Sequence, residues 1–382
     1  MKRGPLATIF AIVFIDLMGF GIVIPLLPLY GERYDPSALS MGLLLSAFSA
    51  TQFAAAPILG RLSDRFGRKP ILLFSLAGSV AGYLLFAFAH SLAVLFAARV
   101  IDGISGGNIS TAQAYVADVT TPETRAKGMG MIGAAFGLGF IFGPAIAGIT
   151  VHWGEWAPGV AAAAMSALAF AATALFLREP ERSRGSAVEH GFAALGRALR
   201  NRSIAVLLAV FFLLTFAFSN FEATFAQFLH DTLGASPSRV AFLFVYVGVL
   251  ISLVQGGLIG RLTRAFGERA LVVAGGFAIA AALALLPFSL AIPLVMAALV
   301  PLTLGIGATN PSLSSLVSKE ARPEDRGTVL GAYQSVSALG RILGPLWGEL
   351  AYFRLGRFGP HWTGAAIAAV AAGLSLTLKR SR

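Results

Sequence analysis

The chain has 382 residues, of which 57% are hydrophobic and 12% charged, with 43 glycines, 30 phenylalanines and no cysteine. A soluble domain carries about 25% charged residues, so this chain has too few polar side chains to cover an aqueous exterior; disulfides and thiolate metal sites are excluded. A net charge of +11 would suggest nucleic acid in a soluble protein, but the placement of the basic residues gives it another meaning.

Continuously apolar runs such as 71–89 and 204–229 are long enough to cross a bilayer, which takes roughly 20 residues per helix. Barrel strands would alternate instead. Hydropathy and loop signals predict an all-α membrane protein with twelve spans, at 6–30, 40–59, 71–89, 92–116, 128–150, 158–177, 204–229, 239–259, 271–290, 292–317, 328–352 and 361–378. The first apolar stretch is too long for a cleaved leader and no small-residue cleavage site follows it, so it reads as the first span. With the N-terminus inside, 23 Lys and Arg fall on the inner side and 4 on the outer, which predicts cytoplasmic termini in a cell inner membrane. The basic balance then needs no nucleic acid.

In chain order, span 1 carries Asp16 about ten residues in, among Gly19, Gly21, Pro25 and Pro28, which predict a bent helix. An ionisable group at mid-span costs about 2.5–3.5 kcal/mol on insertion scales, so Asp16 is a candidate proton carrier and substrate ligand. The turn GRLSDRFGRKP (60–70) follows span 2: Gly60 and Gly67 suit a tight turn, and Asp64 lies among Arg61, Arg65, Arg68 and Lys69. This cluster is a candidate conformational latch. Span 4 places Arg99 and Asp102 one turn apart on one face, with Asn108 further on as a possible cavity residue. Span 5 has a small-faced glycine–proline run. Residues 178–203, the longest polar segment, join an N-terminal half (1–177) to a C-terminal half (204–382). Span 7 carries Glu222 beside Asn220, Phe221 and Phe225, an acid with aromatic neighbours that suits a lipophilic cation. Asn310, before Pro311 in span 10, sits at an expected helix break. Arg341 in span 11 is expected to find a structural partner such as Glu349 or a helix-end carbonyl.

The halves repeat. Gly60-Arg61-Leu62 and Phe66-Gly67 recur at 260–262 and 266–267, Pro122-Glu123-x-Arg125 recurs as Pro323-Glu324-x-Arg326, and Gly143-Pro144 as Gly344-Pro345. Two pseudo-symmetric six-helix halves follow, an architecture of transporters with the site between repeats. Asp64 is the exception, because the second copy has Arg264.

GRLSDRFGRKP resembles the loop 2–3 signature G-x-L-a-D-r-x-G-r-k of the major facilitator superfamily. LFAARVIDGISGG (95–107) is similar to its span-4 motif, an Arg followed four residues later by Gly. Gly130, Gly139, Gly143-Pro144 and Ala147-Gly148 resemble its antiporter motif with one Gly replaced by Ala, and IDLMGFGIVIPLLPLY (15–30) is similar to span 1 of the drug/proton antiporter branch, tetracycline exporters included. The resemblance implies the major facilitator fold, a 2–3 loop (Gly60, Asp64, Arg65, Gly67, Arg68) that steadies one conformation near spans 2 and 11, and proton coupling through Arg99. Asp16, Asp102 and Glu222 are the candidate proton carriers. Asp16, Asn108, Asn220, Glu222, Phe225 and Asn310 are the candidate substrate contacts.

No G-x-x-x-x-G-K-[ST] loop, nucleophile elbow or metal-spaced histidine pair occurs, so neither enzyme chemistry nor a cofactor or metal is expected. The expected function is proton-coupled efflux of small lipophilic, possibly cationic, compounds by a monomer in the lipid bilayer. Uptake of a nutrient such as a sugar is the alternative. A sensor built on a transporter fold is a third reading, and no soluble output domain supports it.

Overall fold

The computed structural model describes residues 3–120, 122–180, 196, 199–321 and 326–378. Among them there is no strand. The α-helices are α1 (Arg3–Val23), α2 (Leu27–Glu32), α3 (Ala38–Phe66), α4 (Arg68–Ala87), α5 (Leu92–Gly106), α6 (Asn108–Val119), α7 (Pro122–Thr150) and α8 (Trp156–Phe176). They continue as α9 (Arg202–Leu233), α10 (Pro237–Leu253), α11 (Ile259–Phe266), α12 (Glu268–Leu285), α13 (Ile292–Glu320), α14 (Arg326–Leu355) and α15 (Gly359–Ser375). Among the described residues, 9 helical segments are long and apolar enough to cross a membrane. Predicted spans 5, 11 and 12 correspond to α7, α14 and α15, outside that count. Phe74, Leu168, Leu175 and Phe353 are exposed, an apolar exterior that only lipid can solvate.

Local breaks follow local chemistry. Span 1 divides at Pro25 into α1 and α2, as a residue without an N–H and with a restricted predecessor requires. Span 4 divides at Gly107, whose Cβ would lie 3.0 Å from Leu59 Cδ1 and 3.1 Å from the Ala56 nitrogen. Span 8 is interrupted by a π-helical turn at Val254–Leu258 that includes Gln255. The break expected at Asn310-Pro311 does not occur. α13 runs unbroken through Pro301 and Pro311, because neighbouring helices can re-satisfy backbone groups freed by proline in a membrane helix.

Two compact units are formed, one from Met1–Pro36, Ala47–Gly185 and Ser236–Val245, the other from Ser37–Ser46, Ser186–Ala235 and Tyr246–Arg382. In the first, the core gathers Ile9, Ile12 and Val13 of α1, Leu72 and Leu76 of α4, Tyr115 and Val116 of α6 and Ile132 of α7. The antiporter-motif glycines are the seat of α1. A Cβ at Gly143 would lie 2.7 Å from the Gly21 backbone and from the Met18 carbonyl, and one at Gly139 2.7 Å from Leu17 Cβ. Small residues thus let two backbones touch, on the helix that carries Asp16. Gly148 packs on Ala241 and Phe242 of α10; the surroundings of Gly130 lie outside the described residues. The second unit repeats the device. Gly344 and Gly348 of α14 meet the backbone carbonyls of Phe216 and Asn220 on α9, the helix that carries Glu222.

Candidate functional site

Four helices of the first unit bring one polar cluster into an apolar core. α1 supplies Asp16, α4 Ser79 and Tyr83, α5 Arg99 and Asp102, and α6 Asn108; all six are buried. Ser79 Oγ donates to Asp16 Oδ1 at 3.2 Å and Asn108 Nδ2 to Asp16 Oδ2 at 3.4 Å. Arg99 Nη1 donates to Asp102 Oδ2 at 2.8 Å, and the Tyr83 ring packs against Gly19 of α1. The Arg99 guanidinium lies 4.7 Å from the Phe48 ring centroid and 5.9 Å from that of Phe20, so two aromatic faces add to its stabilisation.

The two acids therefore live in different electrostatic settings. Asp102 is paired with a cation that can neutralise its charge in place. Both hydrogen bonds to Asp16 come from neutral donors. A carboxyl held in this way can exist with or without its proton.

The sequence candidates Asp16, Arg99, Asp102 and Asn108 are thus brought together. Ser79 and Tyr83 were not singled out, because hydroxyl groups are common in membrane helices and carry little insertion cost compared with charges. Their spacing of four residues, which puts both on one face of α4, was the available signal.

The second unit arranges its candidates differently. Glu222 is half-buried on α9 and interacts electrostatically with Arg341 of α14. Arg341 Nη1 also donates to Ser337 Oγ at 2.7 Å. The expected Arg341 partner is corrected: Glu349 instead accepts from Gln227 Nε2 at 3.5 Å. Asn220 is fully buried and its Nδ2 donates to the Pro360 carbonyl at 2.7 Å. Phe225 is fully buried against Phe221, with ring centroids 4.6 Å apart. Helical geometry explains the separation of Asn220, which points about 200° away from Glu222. Asn310 exposes its side chain, and its backbone carbonyl accepts from the Tyr333 hydroxyl at 3.3 Å.

The 2–3 turn is an ion-pair hub. Arg68 Nη1 pairs with Asp64 Oδ1 at 2.6 Å and Arg68 Nε with Asp118 Oδ2, at the end of α6, at 2.9 Å. Glu179 accepts from the backbone N–H groups of Arg68 (2.6 Å) and Lys69 (2.9 Å). It supplies the anion that the N-terminus of α4 favours, offsetting the two cations seated there. Gly67 has φ +107°, and a Cβ on it would lie 2.9 Å from the Glu179 carboxylate. Gly60 approaches Ser110 and Arg65 stacks over Phe66 at 5.3 Å.

The second half builds the same hub with its polarity reversed. Glu268 opens α12 where Arg68 opens α4, and it pairs with Lys319 at 2.7 Å, close to the place of Asp118 in the repeat. Glu268 is itself the anion at its helix N-terminus, so this copy needs no residue in the role of Glu179. Lys69 Nζ donates to the Ala174 carbonyl at 2.7 Å, and Arg269 Nη2 to that of Leu376 at 2.6 Å. The first hub thus ties α3, α4, α6 and α8 together, and the second ties α12, α13 and the end of α15. R68E, which sets an acid against Asp64, Asp118 and Glu179, should lower stability by about 3 kcal/mol. The double variant R68E/D118K, which copies the second half, should regain most of that in detergent melting curves. Equal melting temperatures for the single and double variants would show that pairing is not the role of these charges.

A family model described as Major Facilitator Superfamily matches residues 9–345 of the chain. The tetracycline resistance protein, class C, of Escherichia coli is 31% identical over 352 residues, spanning 90% of this chain and 89% of that protein. Major facilitator superfamily domain-containing protein 10 of Mus musculus is 30% identical over 408 residues, spanning 93% and 88%. The crystal structure of the human organic anion transporter MFSD10 is similar with a TM-score of 0.74 at 28% identity, covering 98% of this chain and 99% of that one.

Proposed function

This chain belongs to the major facilitator superfamily and is a transporter rather than an enzyme, and from that premise we propose that it is a proton-coupled antiporter exporting small lipophilic compounds. The observation that carries this reading is Asp16, a buried carboxyl held by the neutral donors Ser79 and Asn108 beside the Arg99–Asp102 ion pair. Such a group is expensive in an apolar core, and ionisable residues kept inside membrane spans mark proton relays and substrate pathways. The tetracycline resistance relatives support export as the direction. The basic residues of the predicted inner loops support cytoplasmic termini in a cell inner membrane.

In this mechanism substrate and proton alternate. With Asp16 ionised, the cluster favours a substrate that brings positive charge or hydrogen-bond donors. With Asp16 protonated, that attraction is lost and the substrate leaves. Arg99 keeps Asp102 ionised through both steps, so that one site and not two exchanges the proton. Glu222, opposite Arg341 in electrostatic terms, is the second acid of the pathway. The motif hub at Arg68 holds the helix ends that must move together during alternating access.

A second reading, export of organic anions, is favoured by the MFSD10 relatives and by Arg341, an intramembrane cation that donates a hydrogen bond to the Ser337 hydroxyl. The test for both is reconstitution in liposomes with an internal pH dye, against a panel of tetracyclines, lipophilic cations, organic anions and sugars. Proton movement driven by tetracyclines or lipophilic cations is the expected result. Movement driven by organic anions alone selects the second reading, and movement driven by sugars alone overturns both.

A further inference from the structure

The first turn of the repeat carries Asp64 where the second carries Arg264, and the two copies also differ in packing. Near the end of α3, Leu59 and Ser63 are buried, and a Cβ on Gly60 would reach Ser110. The matching helix α11 buries none of its residues. A Cβ on Gly256, Gly257 or Gly260 would meet nothing within 4 Å outside its own helix. The sequence of α11 is nonetheless amphipathic: Ile259, Leu262 and Phe266 share one side at helical spacing, and Arg261 and Arg264 share the other. Phe266 is 66% exposed, and both arginines are exposed. Neither arginine forms an ion pair among the described residues. Arg264 Nε donates to the Gly260 carbonyl one turn back at 3.2 Å, and Glu268, the acid four residues on, is taken by Lys319 and Ser315.

We propose that α11 is a binding surface for anionic phospholipid headgroups, with Arg261 and Arg264 on the phosphates and the Ile259, Leu262 and Phe266 side resting on the acyl boundary. Depth favours this placement. Arg239, near the start of α10, and Arg264 are 25 residues apart, about 38 Å at 1.5 Å per residue, against about 30 Å of hydrocarbon. With Arg239 at one boundary, Arg264 falls at headgroup level on the other. Charge favours it as well. Two guanidinium groups without an acid, on an otherwise apolar helix end, find their complement in lipid phosphate, which arginine can grip with two parallel bonds. An amphipathic helix of this pattern lies in the membrane interface rather than in a protein core. The first turn offers no such surface at the matching position, where Asp64 pairs with Arg68, which also holds Asp118. One turn ties helices together and the other meets the bilayer, which accounts for the exchange of Asp64 for Arg264.

The full-length protein in non-ionic detergent is titrated with phosphatidylglycerol, phosphatidylcholine or inorganic phosphate while its melting temperature is followed. For wild type the temperature should rise with phosphatidylglycerol alone, and high salt should suppress the rise. R261Q/R264Q should need about tenfold or more phosphatidylglycerol for the same rise, since each basic residue at an anionic surface is worth about fivefold. R264D, which gives the second turn the acid of the first, should show a similar loss. Both variants change exposed side chains only, so the fold is kept. R200Q/R202Q, which removes two exposed arginines at the start of α9, should follow wild type. The proposal is overturned by a wild type that does not respond to phosphatidylglycerol, by an R261Q/R264Q curve that matches wild type, or by an equal loss in R200Q/R202Q, which would mark diffuse surface charge. An equal response to inorganic phosphate or to phosphatidylcholine overturns it too, the first pointing to a free anion and the second to apolar solvation. No substrate enters the measurement, so its outcome is independent of the antiport reading.

Discussion

Asp16→Asn silences substrate-driven proton movement in liposomes, to the level of vesicles without protein, while substrate exchange across a membrane with equal pH on both sides persists. Asparagine has the shape of aspartic acid without its proton. Its carbonyl oxygen can accept from Ser79, and the Asn108 amide can turn to accept from the new amide, so both hydrogen bonds of Asp16 survive in kind. Stability should therefore stay within about 1 kcal/mol of wild type. What disappears is the ability to alternate between charged and neutral forms, and with it the thermodynamic link between the proton gradient and the substrate. Exchange needs only the conformational cycle, which a permanently neutral side chain permits once the substrate concentration is raised to offset the lost attraction.

The same substitution at the other acid has a smaller expected effect. Glu222 is half-buried and faces Arg341, so E222Q leaves that guanidinium with Ser337 as its remaining partner and weakens transport without uncoupling it. If D16N moved protons at the wild-type rate while E222Q did not, the carrier would be Glu222 and the cluster of the first unit a structural one.

The fold was legible because lipid imposes a coarse rule: long apolar runs must be helices, and their charged ends sort to one side. The repeat was legible from short glycine and proline signatures that survive where backbones touch. Asp16, Arg99 and Asp102 were visible for the opposite reason, since a charge in an apolar helix stands out against its neighbours. The partners that give each charge its meaning were not visible. Ser79 lies 63 positions after Asp16, and Glu179, which caps α4, is 111 positions from Arg68. Proximity in sequence also misled. Asn220 is close to Glu222 along the chain, but rotation along α9 turns it into the packing with Pro360, while Phe225, one turn on, is taken up by Phe221. Prolines misled in the same way, because Pro311 in a packed membrane helix does not end it.

Arg99→Ala should be the most damaging single change to the cluster. Arg99 is 3% exposed and its partner Asp102 2%, so truncation leaves an uncompensated carboxylate in a low-dielectric core, a loss of about 3–5 kcal/mol. The melting temperature in detergent should fall steeply and the amount of protein in the membrane with it. Arg99→Lys keeps the charge but gives up the planar group that rests on Phe48 and Phe20, and should fall between wild type and R99A. The deciding variant is R99A/D102N, which removes both charges. If the large cost of R99A comes from the orphaned carboxylate, the double variant regains most of the stability and none of the coupled transport. A double variant as unstable as R99A would mean that the guanidinium acts by filling space between the aromatic rings rather than by holding Asp102. Recovery of coupled transport in the double variant would mean that Asp16 exchanges its proton without a fixed ion pair beside it. These outcomes separate the packing role of Arg99 from its electrostatic one, which single substitutions at this position cannot do, because every one of them changes both.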